Sequence, residues 1–221
     1  MEALLAFGAA LIALRLAGSL ARRWRARREP QFAAWSASLL AYAVASAALA
    51  WGAAAGWSDP AFRVYYLFGG LLTAPLLGVG SLLLLGRRWA GPLGLLYTGL
   101  AVGIALAVPV TVSISGEEIP AAQDHLDFVP GRLVAVLGNS VGTLAVMAVA
   151  LLTLRRRPLG NGLIVAGVAL AAVGSGLAGL GVAATAAFVA AAAVLLYLGF
   201  VAPAGRPKYR GSEGAEADNP V

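Results

Sequence analysis

Amide and hydroxyl side chains within long apolar segments are the residues best placed for chemistry. Asn139 and Thr143 share one face of a helix, and Ser38, Tyr42 and Ser46 recur at the same four-residue spacing. An unpaired amide is costly in an apolar environment, so Asn139 is expected to hydrogen-bond to another helix. The alternative is a polar cavity, and its candidate lining residues are Tyr42, Ser46, Tyr66, Asn139 and Thr143.

The segment "SGEEIPAAQDHLDFVPG", residues 115–131, gathers acidic side chains around one imidazole. Carboxylates and an imidazole are ligands for divalent cations, so Glu117, Asp124 and His125 are the metal candidates. Their spacing matches no specific metal site, and a solvated acidic loop is the main interpretation. The chain has no Cys and a single His, which excludes Cys-ligated metals and paired His ligands. The sequence therefore predicts no cofactor.

Catalytic arrangements are missing from the apolar segments. A serine nucleophile needs a His or Lys partner, but these segments contain neither, and the only lysine is Lys208 near the carboxyl terminus. They also contain no Asp or Glu, which argues against a proton-coupled pump. An H-E-x-x-H motif is absent as well. An enzyme is therefore only the third choice among functions.

The composition is that of a membrane protein. Hydrophobic residues make up 60% of the 221-residue chain and charged residues 12%, against about 25% charged in soluble domains. A helix needs about 20 apolar residues to cross a bilayer. We predict an all-α bundle of seven transmembrane helices within residues 1–204, followed by a disordered tail, 205–221. The predicted spans are Ala3–Ala21, Phe32–Trp57, Val64–Gly86, Pro92–Ile114, Leu133–Leu154, Gly162–Gly179 and Ala183–Val201.

Basic clusters follow the first, third, fifth and seventh predicted spans. With seven spans, all four clusters fall on one side, and Lys and Arg mark the cytoplasmic side. We therefore predict a plasma (inner) membrane protein with its amino terminus outside and its carboxyl terminus in the cytoplasm. The first cluster is expected to contact anionic lipid headgroups, and no nucleic-acid partner is expected. That cluster comprises Arg22, Arg23, Arg25, Arg27 and Arg28.

Small residues predict where helices pack closely. Gly70, Ala74 and Gly78 recur every four residues, which favours close approach of another helix. Pro75 predicts a kink, and Thr73 is expected to help satisfy the carbonyl that the proline leaves free. The division between the last two spans is predicted within Gly174–Gly181. Each of these spans also has a face of small residues at four-residue spacing: Gly167, Ala171, Ser175 and Gly179 on the sixth, and Ala183, Ala187 and Ala191 on the seventh.

Two stretches carry a resemblance to other proteins. "SLLAYAVASAALAWGAAAGW" and "FRVYYLFGGLLTAPLLGVGSLLLL" resemble parts of uncharacterised bacterial polytopic, seven-span integral membrane proteins. The likeness covers spans two and three, and it consists of a Tyr-Tyr start and a glycine-rich helix. The resemblance implies a membrane location and supplies no activity.

A non-enzymatic membrane function is the prediction that fits these observations. The protein is expected to bind a lipid or another apolar ligand, or to assemble with a membrane protein partner or as a homo-oligomer. The alternative is a transporter or channel for a small neutral solute.

Overall fold

The computed structural model describes residues 1–116, 118–176 and 182–202, and its regular secondary structure in that part is helical, without strands. Six helices are long and apolar enough to cross a bilayer by length and composition. The chain is therefore a helical bundle suited to a membrane. These six helices are Glu2–Arg27, Pro30–Ala55, Asp59–Leu84, Ala90–Ala107, Phe128–Leu152 and Ala184–Val201, and a shorter apolar helix covers Pro158–Gly174.

Two π-helical segments interrupt the α-helices of the described residues. The first, Tyr66–Leu72, joins α3 to α4, and the second, Phe128–Arg132, leads into α7. The α-helices are α1 (Glu2–Arg27), α2 (Pro30–Ala55), α3 (Asp59–Tyr65), α4 (Thr73–Leu84), α5 (Ala90–Ala107), α6 (Ala122–His125), α7 (Leu133–Leu152), α8 (Pro158–Gly176) and α9 (Val182–Val201).

The predicted end of the fourth span, Ile114, is wrong. Helix α5 ends at Ala107, and Val108 is extended, with φ −76° and ψ 122°. Val108 precedes Pro109, and a proline disfavours helical geometry in the residue before it. The polar connection to α7 is consequently longer than predicted.

Six helices form a closed ring. In order around the ring, α1, α2, α4, α7, α8 and α9 each pack against the next, and α9 packs back on α1. Helix α5 lies outside the ring, against α4 and the first π-helical segment. The central core takes side chains from all six helices, among them Leu16, Leu39, Leu77, Val146, Ile164 and Leu196.

The last two helices are separate and pack on each other. A Cβ added at Gly167 of α8 would lie 3.1 Å from the Leu196 side chain of α9, so the glycine permits this contact. Most of the predicted turn (177–181), the side chains of Ser175, Gly179 and Ala183, and the predicted tail (205–221) lie outside the described residues.

Candidate functional site

The first π-helical segment ends shortly before a proline. The Thr73 N–H donates to the Phe68 carbonyl, five residues back. Residue 75 is a proline and has no N–H, so it cannot donate to a carbonyl of the preceding turn. Side-chain donors can take the place of that missing N–H.

Side chains from three helices satisfy the carbonyls around Pro75. Asn139 Nδ2 on α7 donates to the Gly70 carbonyl at 2.6 Å. Ser38 Oγ on α2 donates to the Thr73 carbonyl at 2.6 Å, and Thr73 Oγ1 donates to the Phe68 carbonyl at 2.7 Å. We call these groups the polar kink: Ser38, Gly70, Thr73, Pro75 and Asn139. Asn139 thus makes the hydrogen bond to another helix that its position in an apolar segment predicts.

Glycines bring α4 and α7 into backbone contact beside the polar kink. A Cβ added at Gly142 would collide with the Ala74 carbonyl oxygen and lie 2.7 Å from Pro75 N. A Cβ added at Gly78 would lie 2.7 Å from the Cα of Gly142. Side chains at these positions would push the helices apart and take Asn139 away from Gly70.

The other predicted cavity residues also lie between helices. The Tyr42 hydroxyl donates to the Val189 carbonyl at 2.6 Å, and the Tyr66 hydroxyl donates to the Gly131 carbonyl at 3.3 Å. Ser46 is buried and Thr143 is half-buried. Tyr66 lines a cavity of about 10 Å³, roughly the room needed for one water. None of the five predicted residues lines the larger cavity described below.

Two of the three metal candidates lie in the described part of the acidic connection between α5 and α7. The third, Glu117, lies outside the described residues. Asp124 and His125 belong to α6, and His125 Nδ1 lies 3.0 Å from the Val112 carbonyl oxygen. In the described part of the chain, no group of three or more His, Asp or Glu side chains could hold a metal ion.

A cavity of about 580 Å³ opens at one end of the ring, which we call the basic cavity. The wall that lies deeper in the ring is apolar and belongs to the central core. Trp35 stands against Phe32 and Phe200, with ring centroids 5.9 and 5.2 Å apart. The apolar lining includes Phe32, Trp35, Leu77, Val146, Ile164 and Phe200.

The rim of the basic cavity is charged. Arg23 and Arg27 come from α1, while Arg156 and Arg157 come from the connection between α7 and α8. The lining also contains Glu29, whose carboxylate accepts a hydrogen bond from Gln31 Nε2 at 2.5 Å. The rim thus presents four guanidinium groups and one carboxylate among the described residues.

Arg157 is the best-fixed of the rim arginines. Its Nη2 donates to the Ala202 carbonyl at 2.6 Å and to the Gly199 carbonyl at 3.3 Å, which anchors it to the end of α9. Its Nε is buried without a hydrogen-bond partner in the described part of the protein. Nearby, Asn161 Nδ2 donates to Thr153 Oγ1 at 2.9 Å, so that amide is already engaged.

Among the described residues that line the basic cavity, no nucleophile stands beside a His or Lys base. Its described lining residues include no His or Lys. The hydroxyls of Ser81 and Thr153 donate to the carbonyls of Leu77 and Val149, within their own helices.

Sequence reasoning predicted Arg23 and Arg27 as lipid contacts but missed the cavity that they line. Arg157 and Trp35 are more than a hundred positions apart in the sequence. No local spacing signals that they converge. The cluster of arginines after Leu154 was the available signal, and it indicated topology alone.

No protein-family profile, curated protein or solved structure matches the chain. The resemblance of spans two and three to bacterial polytopic membrane proteins therefore stays a prediction. Any functional assignment depends on the geometry of the chain itself.

Proposed function

We propose that the protein is a seven-span membrane protein that binds a lipid or another apolar ligand in the basic cavity, without catalysing a reaction. The observation that carries this proposal is the cavity itself, about 580 Å³ at one end of a helical ring. Ligand pockets range over about 300–1,000 Å³ and combine apolar walls with a few polar groups. The aromatic wall and charged rim of this cavity have that character.

The seven-span count is supported by α8. This helix has 19 residues, and at about 1.5 Å per residue it extends about 28 Å, close to the thickness of a bilayer core. It occupies a place in the closed ring between α7 and α9. Since its neighbours in the ring are long enough to span, α8 is the remaining crossing.

The proposed orientation places the basic cavity at the cytoplasmic face. Arginines that follow α1 and α7 line the same cavity, and so does Leu85, two residues before Arg87. Lys and Arg concentrate on the cytoplasmic side of membrane proteins. The protein thus has its amino terminus outside and the cavity open towards the cytoplasm, in the plasma (inner) membrane.

Reporter fusions test the orientation. A reporter that works only in the cytoplasm, fused after Val201, is expected to be active, because an odd number of spans puts that end inside. A periplasmic reporter at the same position is expected to be inactive. The reverse pair of results would contradict the seven-span parity and the location of the cavity.

Filling the cavity tests ligand binding. Ala150 lines the cavity, and Ala148 on the same helix is exposed at the outer surface. We expect Ala150→Phe to lose most of the lipid that co-purifies with the protein, because its phenyl ring occupies the ligand space. Ala148→Phe, the matched control, should retain it. Native mass spectrometry of the detergent-purified protein measures bound lipid directly, and equal retention in both variants would contradict the proposal.

A further inference from the structure

We propose that the ligand of the basic cavity is a lipid whose headgroup carries a phosphate and a net negative charge. The guanidinium groups of the rim hold the phosphate, and the acyl chain enters between the aromatic residues of the wall. This inference rests on the proposed function, since it names the chemical class of the ligand that the cavity binds.

The charge of the rim selects against a neutral headgroup. Four guanidinium groups and one carboxylate line the cavity, which leaves a net positive charge among its described residues. At the edge of a membrane, low-dielectric walls strengthen the attraction of such a cluster for an anion. A zwitterionic headgroup would bring its own cation towards the arginines and lose much of that attraction.

The arrangement of the guanidinium groups favours phosphate over carboxylate. Arg23 and Arg27 belong to α1, whereas Arg156 and Arg157 follow α7, and α1 and α7 occupy opposite places in the ring. Guanidinium groups bind phosphate and carboxylate oxygens as paired donors. A phosphate has enough oxygens to accept from more than one side, but a carboxylate has only two, in one plane.

Arg157 provides a fixed positive charge for the phosphate. Its bonds to the Gly199 and Ala202 carbonyls hold the side chain in place without a ligand. Its Nε is enclosed by protein and has no partner among the described residues. The residue therefore contributes charge to the rim rather than a hydrogen bond from Nε. Preorganisation of this kind lowers the entropy lost on binding.

The depth of the cavity accommodates part of an acyl chain. Leu84 and Leu77 on α4 both line it, and seven helical residues span about 10 Å at about 1.5 Å each. The aromatic cluster around Trp35 and the side chain of Ile164 form the walls at that depth. The cavity therefore joins a site for an anion to a site for hydrocarbon, which is the chemistry of an anionic lipid.

Headgroup comparison on the wild-type protein tests the inference. The full-length protein in detergent would be titrated with dioleoyl phosphatidate and dioleoyl phosphatidylcholine, which share their acyl chains. We expect phosphatidate to bind at least tenfold more tightly. Oleate and inorganic phosphate serve as the carboxylate and the chain-free anion, and both are expected to bind more weakly than phosphatidate.

Matched arginine variants locate the effect. Arg23→Gln combined with Arg156→Gln removes two rim charges, and both side chains are exposed, so folding should survive. The control combines Arg87→Gln with Arg88→Gln, two exposed arginines that do not line the cavity. We expect the rim variant to lose about 25-fold in phosphatidate affinity, at about fivefold per arginine near an anionic surface. The control should lose less than threefold.

The outcomes separate this inference from the proposed function. Equal affinities for phosphatidate and phosphatidylcholine, or equal losses in both double variants, would overturn the anionic headgroup but leave the lipid site intact. If oleate or inorganic phosphate bound as tightly as phosphatidate, the proposal of a phosphate-bearing lipid would be overturned. No lipid binding of any kind would overturn the proposed function as well. The wild-type comparison depends on no variant and decides the matter if a variant fails to accumulate.

Discussion

The polar kink and the basic cavity use polar side chains in opposite ways. At the polar kink, Asn139, Ser38 and Thr73 each donate to a backbone carbonyl of the bundle. At the basic cavity, Arg23, Arg27 and Arg156 line the rim with exposed side chains. Polar groups whose hydrogen bonds close within the protein hold it together, whereas exposed charged groups beside a cavity are available to a ligand.

This contrast predicts that damage at the polar kink destabilises the fold. The largest effect is expected from Gly142→Ala, because the added methyl group collides with the Ala74 carbonyl of α4 and backbone cannot yield easily. We expect a loss at the upper end of the about 1–3 kcal/mol typical of overpacking. Unfolding of the purified protein in increasing SDS measures it. Gly99→Ala on α5, where a Cβ has open space, is the control and should be neutral or stabilising.

A smaller loss is expected when the amide of the polar kink is removed. Asn139→Leu removes the amide that donates to the Gly70 carbonyl from α7. We expect a loss of about 1–2 kcal/mol, the range for a membrane hydrogen bond and an unpaired buried carbonyl. Ser140→Leu is the matched control because Ser140 is the next residue and is exposed. Equal SDS unfolding curves for the two variants would remove Asn139 from the structural role.

Sequence reasoning was most successful for features that depend on residues close together in the chain. Apolar runs marked the helices, and the isolated amide of Asn139 marked a hydrogen bond between helices. The kink at Pro75 stays a prediction. The shift to five-residue spacing at Tyr66–Leu72 was not predicted, and α2 and α7 both pack against that segment. Those contacts join residues distant in the chain.

The basic cavity could not be predicted from the sequence. Its rim arginines had an adequate explanation as topology signals, and nothing local shows that Trp35 and Phe200 meet. The basic cavity is a gap that remains at one end of the ring, between the six helices that form it. The sequence of each helix records its own apolar face and carries little information about the gap that remains between them.

The most direct test of the account measures bound lipid and stability together in Ala150→Phe and Asn139→Leu, by native mass spectrometry and SDS unfolding. The account predicts that Ala150→Phe loses its lipid. Its lipid-free form should unfold at the same SDS concentration as the lipid-free wild-type protein. It predicts that Asn139→Leu keeps its lipid and unfolds at lower SDS. If bound lipid fell only in proportion to stability across both variants, the basic cavity would not be a ligand site.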